Sequence, residues 1–196
     1  MTRAALVALL AIATLMSGCR TLPAPPAAPE SWEARRAALQ GREHFQIKGR
    51  VAVASGADGF TASVHWAQNG TQSTLALDGP LGVGGMHVTS DGTTLSLVNA
   101  RGERLDSEAA RTELRTRLGF DAPLASLRYW ILGVPDPSSP AVEVVDVERR
   151  LTSLQQNDWQ IDYADYVVVK GEWLPGRMTL QRAAVRVRLI VDHWDS

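Results

Sequence analysis

The sequence predicts a mainly β protein with a few helices, an α+β chain built on one curled antiparallel sheet. Three observations predict it: apolar and polar residues alternate at period two in repeated runs between residues 45 and 191, Asn-Gly and Asp-Gly turns punctuate the runs, and only three stretches take helical spacing. The 196 residues, 45% of them apolar, suffice for one domain with a real core.

Residues 1–18 read as a signal peptide that is removed. Arg3 supplies its charged end, and the apolar run from Ala4 to Met16 is too short to span a bilayer. Leu15-Met16-Ser17-Gly18-Cys19 resembles a lipobox, in which small residues let a peptidase close on the chain before a lipidated cysteine; Met16 stands where Leu is commoner. Cys19 is the only cysteine, so no intramolecular disulfide is possible. A buried thiol acting as a small hydrophobe is the alternative to a lipid anchor, and the position at the end of a signal peptide favours the anchor. Each buried methylene contributes about 0.8 kcal/mol and one chain holds only marginally, so several acyl chains on Cys19 give lasting anchorage. Arg20 follows, where the inner-membrane retention signal usually has Asp. By that resemblance the chain is expected at the outer membrane, lipid-anchored and facing the periplasm.

Residues 19–30 are expected to form the lipidated cysteine and a tether. Four prolines between Pro23 and Pro29 favour extended polyproline geometry, which at about 3.1 Å per residue holds a domain roughly 25 Å from the bilayer; an arm packed on the domain is the other possibility. The domain proper is expected at residues 31–196. Ser31 caps a short helix through Leu39, with Ala34, Ala38 and Leu39 near one face. Phe45, Ile47, Val51 and Val53 then alternate with polar residues in a strand that Gly49 interrupts as a bulge. Phe60, Ala62, Val64 and Trp66 repeat the pattern, Asn69-Gly70 makes a two-residue hairpin turn, and Leu75 and Leu77 follow. Met86 with Val88, and Leu95 with Leu97 across Asp91-Gly92, extend the meander.

Ser107 caps a second helix with Ala110, Leu114 and Leu118 on one stripe, ended by Gly119. Pro123 opens a shorter one, whose apolar face holds Leu124, Leu127, Trp130 and Ile131 before Gly133 stops it. Strands resume at Val142 and Val144, at Trp159, Ile161 and Tyr163, at Met178 and Leu180, and at Val185, Val187, Leu189 and Val191, where Ile190 breaks the alternation.

Each strand is apolar on one side, so the sheet buries one face against helices or against itself. Three short helices are its only cover. A sheet of roughly ten strands must curl, and a curled sheet with so little cover leaves apolar space inside. Periodicity does not choose between that cavity and a packed interior.

Four segments carry a family resemblance: Phe45-Gln46-Ile47-Lys48-Gly49-Arg50, Gly79-Pro80-Leu81-Gly82, Pro123 through Leu127 into Arg128-Tyr129-Trp130-Ile131-Leu132-Gly133, and Asp158-Trp159-Gln160-Ile161-Asp162-Tyr163. Together they resemble the LolB family of outer-membrane lipoprotein receptors, from about residue 40 to the end. The resemblance implies an incomplete β-barrel with a helical lid over an apolar cavity. That cavity would accept the acyl chains of a lipoprotein from the periplasmic carrier LolA and deliver them to the outer membrane, without catalysis and with no cofactor beyond the covalent lipid on Cys19. Phe45, Ile47, Val64, Trp66, Leu75, Leu77, Leu127, Trp130 and Ile131 are the expected lining, with ordinary core packing as the alternative for each. The resemblance also implies that Leu81, in the Pro-Leu-Gly loop, protrudes and assists membrane insertion.

Other chemistries lack their residues. With 20 Lys and Arg against 21 Asp and Glu the formal charge is −1, no run of either sign grips a polyanion, and nucleic acid is not expected as a partner. Gly82-Val83-Gly84-Gly85 lacks the Lys-Ser or Lys-Thr of a phosphate loop. The histidines, His44, His65, His87 and His193, have no ligand spacing, so no metal is expected. No nucleophile elbow supports a hydrolase. Arg128 orients the lid or snorkels over the surface. A monomer is expected. A structural envelope lipoprotein using the same sheet for protein contacts is the competing function.

Overall fold

The computed structural model describes residues 31–79 and 85–195. Helix α1 spans Trp32–Gln40. Strands β1 (His44–Ser55), β2 (Asp58–Asn69), β3 (Gln72–Asp78), β4 (Met86–Ser90), β5 (Leu95–Val98) and β6 (Arg104–Asp106) follow. Helices α2 (Ser107–Leu118) and α3 (Leu124–Trp130) separate them from β7 (Val142–Val145), β8 (Leu151–Gln156), β9 (Trp159–Val169), β10 (Glu172–Arg182) and β11 (Val185–Asp195). All eleven strands form one sheet in the order β6-β5-β4-β3-β2-β1-β11-β10-β9-β8-β7, and every pair is antiparallel. The two ends of the order do not pair with each other, so the sheet stays open.

Two meanders thus meet at the β1–β11 seam, where strands distant in sequence pair over ten residues of β1. The register there slips between Lys48 and Gly49, and the residue that β1 leaves without a partner is Asp192 on β11. The slip reverses the inward parity of β11, so Val191 and Trp194 are both buried although three residues apart. Ile190 precedes the slip and keeps the outer parity of Arg186 and Arg188, where it is half-buried. Gly49 is required at the slip, because a Cβ there would lie 2.2 Å from the Ile190 carbonyl oxygen.

The helix ends follow local chemistry with one correction. The Ser31 hydroxyl accepts from Ala34 N–H at 3.1 Å, and Gly119, left-handed at φ 79°, donates its N–H to Arg115 O at 2.8 Å. Ser107 is not a cap: it is the first helical residue of α2, and Asp106 before it makes no side-chain capping bond. The β2–β3 turn also differs from expectation. Asn69 pairs with Gln72, which leaves Gly70-Thr71 as the two-residue loop, with Gly70 at φ 59°.

Strand β7 departs most. Val142 and Val144 are 63% and 53% exposed on the outer face, while Glu143 is drawn inward by Trp32 Nε1 at 2.5 Å and Arg36 at 2.9 Å from α1. An edge strand has one neighbour only, so two donors from a helix decide which face turns in. Strands β6 and β8 carry no clear period-two signal; in β8 the buried residues are Leu151, Leu154 and Gln156.

Candidate functional site

The concave face divides into two regions. Trp130, Trp159, Leu151, Leu154, Ile161 and Leu174 are packed to at most 2% exposure where α1, α3 and β8–β10 meet. Nearer the seam, Val51, Phe60, Phe120, Leu124, Leu127, Val187 and Leu189 are only half-buried. Apolar side chains left half-exposed on an inward face mark space that nothing fills.

That space is a cavity of about 90 Å³. Its floor is Ile47, Val51 and Val53 of β1, Phe60, Val64 and Trp66 of β2, Leu75 and Leu77 of β3, Met178 and Leu180 of β10, and Val187 and Leu189 of β11. Its roof is Leu118, Phe120, Ala122, Leu124, Leu127 and Ile131. Every lining residue is apolar, so a ligand here is held by area alone, and no lining side chain ionises.

Of the residues singled out from the sequence, Ile47, Val64, Trp66, Leu75, Leu77, Leu127 and Ile131 border this cavity. Phe45 does not, since it packs on Trp194 with ring centroids 5.9 Å apart. Trp130 does not either; it is fully buried 6.4 Å from the Trp159 ring. Val51, Val53, Val187 and Leu189 share the parity of their strands and were legible by that signal. Phe120 and Ala122, in a loop, had none. Cys19 and Leu81 lie outside the described residues.

The roof is pinned at one end by a buried polar network. Gln156 Oε1 accepts from Trp130 Nε1 at 2.8 Å and from Asp136 N–H at 2.9 Å, while its Nε2 donates to the carbonyls of Asp136 and Ser139, both at 2.8 Å. Ser126 Oγ donates to Asp136 Oδ2 at 2.7 Å. Tyr163 donates its hydroxyl to Trp130 O at 2.9 Å, and burial pushes its pKa well above the ordinary phenol range, so it stays a neutral donor. Gly133 ends the segment at φ 77°, where a Cβ would meet Tyr166 Oη at 2.9 Å. Arg128 lies over the Tyr129 ring at 4.9 Å. The other end of the roof, residues 119–123, carries no comparable network among the described residues.

Among the described residues no group of three His, Cys, Asp or Glu stands close enough to hold a metal ion, and no helix is long and apolar enough to cross a membrane.

The family model described as Outer membrane lipoprotein LolB matches residues 43–194, from the start of β1 to the end of β11. The chain belongs to the LolB family. The outer-membrane lipoprotein LolB of Nitrosococcus oceani is 35% identical over 184 residues, covering 92% of each chain. That of Pseudomonas aeruginosa is 30% identical over 185 residues, covering 92% of this chain and 90% of that one. Among solved structures, a LolA superfamily protein from Nitrosomonas europaea superposes with a TM-score of 0.56 at 8% identity, over 85% of this chain and 94% of that one. A putative outer membrane lipoprotein-sorting protein domain from Vibrio parahaemolyticus gives 0.54 at 9% identity, over 86% and 93%. Likeness at such low identity concerns the fold: an open antiparallel sheet with helices across its concave side. Within that fold, the LolB-like segments fall on β1, the β3–β4 connection, α3 with its exit, and the start of β9.

Proposed function

We propose that this protein takes the acyl chains of other lipoproteins into the cavity between sheet and roof and passes them to the outer membrane, as a non-catalytic receptor supplied by a LolA-type periplasmic carrier. One observation carries the reading: a chain of the LolB family encloses a hollow whose lining is wholly apolar. Hydrocarbon leaves such a lining for a bilayer at little net cost, because both surroundings hide it from water and neither makes a directional bond to it. Release therefore needs no nucleotide.

At about 90 Å³ the hollow is well below the roughly 300 Å³ at which pockets for small ligands begin, so a long acyl chain enters only when the roof moves. The Gln156 network holds the Trp130 end. Movement belongs to residues 119–123 and to α2, which touches the sheet through Ala110, Leu114 and Leu118. In this proposal residues 1–18 are cleaved, Cys19 carries the lipid anchor, residues 20–30 are the tether, and the domain works as a monomer on the periplasmic face.

Leu81 lies in the connection between β3 and β4, and the proposal gives it the insertion step. Leu81→Glu should leave acceptance of cargo intact and slow its insertion into vesicles by tenfold or more, since a carboxylate resists entering acyl chains. The test is transfer: the full chain is mixed with carrier-bound lipoprotein and vesicles, and cargo is followed from carrier to chain to lipid. Cargo that never reaches the chain sinks the receptor reading. Insertion at the normal rate by the variant sinks only the role of Leu81.

A further inference from the structure

A second cleft opens outside the roof, between α2, the β4–β5 turn and residues 121–126, with a volume of about 410 Å³. Ala122 and Leu124 line both this cleft and the apolar cavity. Leu114 in the cleft stands one helical turn before Leu118 in the cavity, on the same buried stripe of α2. One short, half-buried stretch of backbone thus separates a greasy interior from an outer space with different chemistry.

The outer space is lined by Ser90, Arg111, Arg115, Asp121 and Ser126 beside its apolar residues and Gly92. Arg111 and Arg115 are four residues apart, on one face of α2. Neither has a carboxylate partner among the described residues, whereas Arg117 on the same helix is paired with Glu113 at 3.0 Å. Arg111 makes one bond, from Nη2 to Thr93 O at 3.3 Å, and a guanidinium carries five donors.

We propose that this cleft binds the polar head of the cargo's acylated cysteine, the ester and amide carbonyls from which its acyl chains hang, with Arg111 and Arg115 as donors. The inference rests on the acyl-receptor reading and adds a subsite to it. Lipid carbonyls only accept, so a site for them must present donors. Their distance from the hydrocarbon is fixed by covalent bonds, so those donors must stand beside the cavity, as this cleft does across the shared residues Ala122 and Leu124. Asp121 on the same rim supplies an acceptor for the amide N–H, and its charge disfavours a phosphate or a carboxylate in the same place. Rim donors exchange readily with water, so they orient the head without making the cavity retain its cargo.

The test compares two probes on the full chain: a synthetic peptide bearing a triacylated cysteine, and an uncharged naphthylamine dye without ester or amide. Arg111→Met combined with Arg115→Met should weaken lipopeptide binding by about tenfold and leave dye uptake unchanged, which also shows that the fold is intact. Lipopeptide affinity equal to that of the parent, or an equal loss for both probes, overturns the head-group site. A parent chain that takes up neither probe fails at the receptor reading itself, and the subsite falls with it.

Discussion

Gly49→Val should cost about 3 kcal/mol or more of stability, read as a large drop in the urea midpoint at unchanged slope. The new Cβ would sit 2.2 Å from the Ile190 carbonyl oxygen, an atom held in the β1–β11 ladder and unable to swing aside as a flexible side chain would. The only relief is to part the strands at the seam that joins the two meanders, and a domain of this size typically has about 5–15 kcal/mol in all. Ala54→Val serves as the control: it lies on the same strand with its side chain exposed, and should shift stability by about 0.5 kcal/mol at most. A Gly49→Val midpoint equal to that of the control would show that the slip does not need glycine.

Gln156→Leu should cost about 4 kcal/mol, although the two side chains have similar volume. Leucine strands two buried donors, Trp130 Nε1 and the Asp136 N–H, and two carbonyls, at about 1–3 kcal/mol for each group left unpaired. The loss is local to the pinned end of the roof, so dye uptake should change along with stability as Leu127 and Ile131 lose their fixed positions. A loss under about 1 kcal/mol, or dye binding unchanged in a measurably destabilised variant, would show that the network does not hold the roof.

The period-two pattern placed β1, β2, β3 and β11 on the page because their inward faces are continuous in sequence. The same pattern carried most of the cavity floor, since Ile47, Val64, Trp66, Leu75 and Leu77 share one face of neighbouring strands. It misplaced Phe45 and Trp130 as lining for one reason: an inward apolar residue looks alike in sequence whether it meets a void or another ring. Trp194 covers the first, and Trp159 with Gln156 the second. Valines at alternate positions in β7 read as an inward face, and a helix from the other end of the chain turned Glu143 inward instead.

The sequence by itself determined the period of each strong strand, the helix ends at Ser31 and Gly119, the apolar character of the cavity floor, and the residue types that mark the LolB family. These are local properties, set by one stretch of backbone and its own side chains. Tertiary structure alone decided the pairing of β1 with β11, the parity reversal opposite Gly49, the inward turn of Glu143, and which part of the apolar face is packed and which is hollow. Each of those depends on atoms brought together from distant parts of the chain, and whether a space is filled depends on what stands across from it.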